Sequence, residues 1–220
     1  MSDSQFERLK ILPFSDGTFA TTGKITEPIT KALAKQPDMK VTVFPVLDHK
    51  KVPSSLLQVI EDEFNHVVKE GLTYPYDKPI HGQDFIDYWF KHFVAIMIAG
   101  EHKEFPELDY EGYKQIFLGN FYVKPNYVGR SSHVCNGGFI VNHEKRGLGL
   151  GVELGKIYLQ WAPQLGYVYS VFNLVFETNT ASVKIWDSLG FERIGYVKNV
   201  AVLKGINRLV GAHIYGKDLV

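Results

Sequence analysis

The chain has 220 residues, 45% hydrophobic and 22% charged, ordinary globular usage that excludes disorder, collagen-like repeats and coiled coil. Lys plus Arg and Asp plus Glu each number 24, a balance without the electrostatic footprint of a protein whose main partner is nucleic acid or an anionic membrane. A single cysteine, Cys135, excludes an intrachain disulfide framework and a cysteine zinc cluster, so a reducing compartment is expected.

Residues 1–40 keep no hydrophobic period and are read as an N-terminal extension, ahead of one domain over 41–220. Met1 to Lys10 carries no apolar signal core, and the longest apolar stretch, Phe93 to Ala99, falls far short of the roughly 20 residues that cross a bilayer; a soluble, cytoplasmic protein is expected. Val41 to Val46 is β-rich and predicts a first strand. Pro53 opens a helix whose Leu57, Ile60, Phe64 and Val67 share one face, and Gly71 stops it. A loop through Tyr74 and Pro79 leads to a short aromatic helix from Asp84 to His92, then to a buried strand, Phe93 to Ala99. A charged connector, Glu101 to Glu111, precedes a strand from Ile116 to Val123.

The second half alternates strand and helix. Gly137 to Val141 reads as a strand, Asn142 to Gly151 as a polar, Gly-rich turn, and Leu150, Leu154, Ile157, Tyr158, Trp161 and Leu165 as one helical face. Tyr169 to Phe176 predicts a second buried strand, Thr180 to Leu189 a helix closed by Gly190, and two β segments follow near Phe191 to Val197 and Ala212 to Lys217. The fold class is α/β with a mixed sheet flanked by helices.

Arg146-Gly147-Leu148-Gly149-Leu150-Gly151 opens the long helix directly after a strand. Backbone N–H groups there can converge on an anion such as a diphosphate without Cβ obstruction, helped by the helix dipole, although the same glycines also serve a plain turn. The lysine and hydroxyl of a P-loop and the G-x-G-x-x-G spacing of dinucleotide folds are both absent.

These residues resemble the GCN5-related N-acetyltransferase superfamily, whose loop Gln/Arg-x-x-Gly-x-Gly/Ala is matched by Arg146, Gly149 and Gly151. The segment Asn179-Thr180-Ala181-Ser182 through Lys184-Ile185-Trp186 to Leu189-Gly190-Phe191 resembles a second superfamily signature. Gly71 to Pro75, Asn120 to Tyr127, Cys135 to Phe139, Phe172 to Phe176 and Tyr215 to Leu219 are similar to the fungal acetyltransferases that detoxify the proline analogue azetidine-2-carboxylate. The resemblance implies that fold, with acetyl-CoA as donor, a small cyclic imino acid as acceptor and no metal. It implies that the strand before the loop splays from its neighbour, so that backbone groups of Phe139, Ile140 and Val141 meet pantetheine. It also implies that Arg146, Gly147, Leu148, Gly149, Leu150 and Gly151 hold the diphosphate, that Asn179 meets the pantetheine arm, and that Asn136 and Asn173 position the acceptor.

Other readings stand beside these. Asn173 is alternatively a satisfied core amide and Asn136 a turn residue; the acceptor is alternatively another small amine, a polyamine or a protein amine, and the chain alternatively a catalytically weak acetyl-CoA sensor. A homodimer is an open partner expectation. Trp186 stands where many relatives carry a tyrosine acid, and its indole N–H is no acid near neutral pH; the thiolate then leaves into solvent or to a water, or takes its proton from Tyr158 or Tyr169. Glu177 is read as a solvated strand-end carboxylate before a base, His133 and His143 as loop histidines, and Cys135 as a small core residue. Tyr74, Tyr88, Trp89 and Phe90 wall a pocket or fill the core.

Overall fold

The computed structural model describes residues 25–220; residues 1–24 of the expected extension lie outside the described residues. In chain order, β1 (Ile29–Leu33) and β2 (Gln36–Val46) precede helices α1 (Ser54–Glu70) and α2 (Gly82–Trp89). Then come β3 (Phe93–Ala99), α3 (Tyr110–Ile116), β4 (Phe117–Pro125) and β5 (Val134–Val141). Helix α4 (Leu150–Gln164), β6 (Tyr169–Phe176), α5 (Thr180–Ser188), β7 (Glu192–Ala201) and β8 (Val210–Asp218) complete the domain. The strands form one mixed sheet in the order β1-β2-β3-β4-β5-β6-β8-β7.

The sheet begins earlier than the sequence pattern indicated. Residue 41 falls inside β2, and β1 pairs with it from Ile29↔Val43 to Leu33↔Gln36, so part of the stretch read as an extension is an edge ribbon of the sheet. The polar residues of that ribbon hid it, because an edge strand exposes one face and shows no long apolar run. The charged connector likewise ends in a helix: Asp109 caps α3, accepting from the Gly112 N–H at 2.8 Å.

Two hydrophobic layers cover the sheet. On one face Val41, Val43, Phe93, Phe121 and Cys135 pack under Leu154, Ile157, Tyr158 and Trp161 of α4, each buried large side chain contributing about 1.5–3 kcal/mol. On the other, Phe44, Val94, Ile96, Tyr122 and Ile140 pack under Leu56, Ile60 and Phe64 of α1 and Phe85 and Trp89 of α2. Gly71 ends α1 in the left-handed region at φ 67°, the conformation glycine adopts without a Cβ penalty.

Helices α4 and α5 are in contact through Gly155, where an added Cβ would lie 2.4 Å from the Leu189 Cδ1 and 3.3 Å from the Trp186 ring. Gly155→Val is therefore expected to push the helices apart at a cost of about 1–3 kcal/mol, lowering Tm by roughly 2–12 °C at about 2–4 °C per kcal/mol for a chain of this size. An unchanged melting curve would show that this contact yields freely.

Candidate active site

β5 and β6 are parallel neighbours, yet they pair only at Val134↔Tyr169 and Cys135↔Ser170. Beyond Cys135 the two strands part, and the edge of β5 from Asn136 to Val141 faces an opening rather than a ladder. Parallel strands require a crossover helix, so α4 starts at the carboxyl end of β5 and its N-terminus faces the opening, the place where open α/β sheets take ligands. Rings line the parted strands: Phe139 on β5 lies 5.8 Å from Phe172 on β6, and Trp186 from α5 lies 4.8 and 4.6 Å from the two.

The pair Gly137-Gly138 is required from both faces. A Cβ on Gly137 would meet the Tyr158 ring at 2.7 Å, and one on Gly138 would meet the Tyr122 ring at 2.4 Å and the Tyr74 hydroxyl at 2.6 Å. Rings from opposite layers thus take the space of two missing side chains.

The loop after β5 is pinned to α1. The His143 backbone N–H donates to Glu63 at 2.7 Å, and the His143 Nδ1 lies 2.9 Å from the same carboxylate. Arg146 makes a two-pronged pair with Glu70 at 2.9 and 2.8 Å, which lowers the Glu70 pKa. The Arg146 guanidinium is thus committed to α1, and what the loop offers an anion is backbone. Gly147 and Gly149 hold φ of 89° and 82°, nothing lies within 4 Å of a Cβ added at Gly147, and no side chain caps α4 at Gly149. An uncapped helix N-terminus beside parted strands fits a diphosphate followed by an extended pantetheine. The Lys35 stem, from the turn between β1 and β2, lies along Gly149.

Asn136 and Asn173 meet through a third amide that the sequence reading passed over. The Asn126 Oδ1 accepts from the Asn173 Nδ2 at 2.6 Å and from the Asn136 Nδ2 at 3.1 Å, so one turn residue after β4 bridges β5 and β6 across their point of parting. Asn173 is exposed, which removes the core-amide reading. A bulge explains its direction: β6 advances from Phe172↔Tyr215 to Val175↔His213, three residues against two, which turns Asn173 and Leu174 outward. Asn179 caps α5, accepting from the Ser182 N–H at 3.1 Å. Phe139 and Val141 are half-buried beside the opening, whereas the Ile140 side chain is buried under α1 and α2.

On the α1 and α2 face, the hydroxyls of Tyr74, Tyr88 and Tyr122 hydrogen-bond among themselves, and burial pushes their pKa values up. Lys124 closes this cluster with its Nζ 4.5 Å from the Tyr122 ring centre and 4.8 Å from that of Tyr88. Trp89 and Phe90 belong to the core. A cleft of about 470 Å3 runs between the loop carrying Tyr74 and Tyr76 and the residues Leu174, Phe176, Val202 and Leu203.

The titratable candidates sort by their partners. Tyr158 is buried, its hydroxyl tied to Ser170 at 2.7 Å and Cys135 at 3.1 Å, and burial raises its pKa well above the ordinary value; it is a structural phenol, not a proton donor to the opening. Burial lifts the Cys135 thiol to about 12, which suits a core residue. Glu177 accepts from Tyr196 at 2.5 Å and Arg208 at 2.6 Å and is held at about 2, too acidic to serve as a base near neutral pH. Among the described residues no His/Cys/Asp/Glu cluster could hold a metal, and no helix is long and apolar enough to cross a membrane.

Trp186 is 5% exposed and donates its indole N–H to the Ser182 Oγ at 2.7 Å. That proton is engaged, so Trp186→Phe is expected to keep turnover within about tenfold while costing about 0.5–3 kcal/mol of stability. Thiol-release kinetics beside thermal melts check this; a folded variant slowed several hundredfold would give the indole a catalytic role.

Residues 73–191 match the family described as Acetyltransferase (GNAT) family. The N-acetyltransferase aca1 of Schizosaccharomyces pombe is 40% identical over 169 residues, covering 75% of this chain and 81% of the relative. Protein SPT10 of Saccharomyces cerevisiae is 30% identical over 226 residues, covering 84% of this chain but 35% of that longer protein. Among solved structures, a GCN5-related N-acetyltransferase from Kribbella flavida superposes with a TM-score of 0.63 at 28% identity, covering 81% of this chain and 97% of that one. With the parted strands and glycine loop in place, these matches make the chain a member of the GNAT family, an acetyl-CoA-dependent N-acetyltransferase.

Proposed function

We propose that the acceptor is a small cyclic imino acid of the azetidine-2-carboxylate or proline type. The diphosphate of acetyl-CoA is held by backbone groups of Gly147, Leu148, Gly149, Leu150 and Gly151, in the loop that the Arg146 pair with Glu70 anchors. The pantetheine pairs along Phe139, Ile140 and Val141 and reaches Asn179. The observation that carries the acceptor reading is the set of three amides, Asn126, Asn136 and Asn173, at the point where β5 and β6 part.

Amides suit such a substrate because they donate and accept without titrating. In this reading the ring nitrogen enters as the free amine and attacks the thioester carbonyl. The C–N bond forms, the C–S bond breaks, and the proton lost from nitrogen reaches the departing thiolate through solvent, since Tyr158 and Glu177 are committed to other partners. Orientation of two bound reactants is worth about 7–11 kcal/mol of barrier in favourable cases, and hydrogen bonds to a charged group about 1.5–3 kcal/mol each.

Asn173→Ala and Asn136→Ala are each expected to lower kcat/KM for azetidine-2-carboxylate by on the order of 10², with acetyl-CoA affinity nearly unchanged. The double variant should lose less than the product of the two, because both amides grip one substrate through Asn126. Gly149→Asp should do the reverse: a carboxylate at the loop repels the diphosphate and abolishes calorimetric binding of acetyl-CoA. Full activity in folded Asn136→Ala and Asn173→Ala would overturn the acceptor site, and unchanged acetyl-CoA affinity in folded Gly149→Asp would overturn the donor site.

A further inference from the structure

Lys124 is a half-buried cation without a counter-charge. Lys31, Lys40 and Lys156 each meet a carboxylate, whereas no ion pair among the described residues includes Lys124; its ammonium is held between the faces of Tyr122 and Tyr88. The charged group that acts on it most is another cation, Lys91, and burial lowers its pKa. Ring faces attract an ammonium but supply no counter-charge, so the site as it stands has room for an anion.

Its position makes that deficit meaningful. Lys124 is the cross-strand partner of Asn136, and Tyr122 that of Gly138, so the four residues form one patch on the face that carries α1 and α2. The Tyr122 ring and Tyr74 hydroxyl are seated where Gly138 lacks a side chain, and Tyr74 also lines the 470 Å3 cleft. An aromatic box that would otherwise welcome a cationic amine is already filled by the protein's own ammonium, which repels polyamines and lysine side chains.

We propose that Lys124, held against the rings of Tyr88 and Tyr122, is the subsite for the carboxylate of the acceptor, while the asparagines hold its nitrogen. This rests on the acceptor site argued above and deepens it: the enzyme selects amines that carry an adjacent carboxylate. A carboxylate there supplies the counter-charge that the fold omits and fixes which end of a small, nearly symmetric ring points at the thioester.

The test measures thiol release from acetyl-CoA with matched acceptors: azetidine-2-carboxylate against azetidine, L-proline against L-prolinamide, and L-alanine against ethylamine. Each pair is run on the wild type, Lys124→Met and Lys124→Arg. The wild type is expected to favour the acid of each accepted pair at least tenfold. Lys124→Met should raise KM for the acid about 10- to 100-fold, leave KM for acetyl-CoA unchanged and erase the preference, with Lys124→Arg restoring part of it. Should Lys124→Met fail to fold, the wild-type acid-against-amide comparison and Lys124→Arg decide. Equal use of acid and amide by the wild type, or an unchanged acid KM in folded Lys124→Met, overturns the subsite. If L-alanine turns over with the lysine-dependent preference while both ring acids do not, the subsite stands and the imino acid reading falls; if no acid in the panel turns over, both fall.

Discussion

The early parting of β5 and β6 is the constraint on which the rest of the site depends. Two rungs of parallel ladder, ending at Cys135↔Ser170, hold the strands together at one end. Beyond them, Phe139, Phe172 and Trp186 line the opened seam with rings. A continued ladder would pair the backbone groups of β5 to which the proposed reading assigns the donor's pantetheine. It would also leave the N-terminus of α4 facing a closed sheet edge instead of an opening.

Helix α1 ties the two halves of the site to one rigid element. From one stretch of its surface Glu63 and Glu70 pin the loop after β5 through His143 and Arg146. At its end Gly71 turns the chain into the segment that carries Tyr74 and Tyr76 to the cleft. The Gly71 carbonyl accepts from the Lys204 N–H at 3.0 Å, so the connection between β7 and β8 is fastened to the same point. The loop after β5 and the wall of the cleft therefore share one support, and a shift of α1 changes both.

Much of this was legible in the sequence, for identifiable reasons. Strands β3 and β6 fall at Phe93–Ala99 and Tyr169–Phe176 as read, because a continuous apolar run between turn residues is the pattern of a buried strand. The glycine turn into α4 was legible because close glycines before an amphipathic helical pattern mark a turn of positive φ, and Gly147 and Gly149 adopt it. The ribbon of β1 and the start of β2 was not, since Thr30, Lys31, Gln36, Asp38 and Lys40 leave few large apolar residues and β1 is an edge strand. Asn126 was equally hidden: an Asn after Pro125 reads as any turn residue, and only the register of β4 on β5 and the bulge in β6 bring it to Asn136 and Asn173. Nothing in the sequence singles out Lys124; only the fold places Tyr88, from a distant helix, against it.

Hydrogen exchange read by mass spectrometry on the wild-type protein, with and without coenzyme A, tests the central claim most directly. If the parted edge of β5 and the loop beyond it receive the donor, the amides of 137–141 that point away from β4, together with those of 147–151, exchange fast in the free protein and slow on binding. Peptides from β3 and from the paired start of β5 should change little. Full protection of every amide in 137–141 before any ligand is added, or protection appearing elsewhere with these peptides unaffected, would contradict the account.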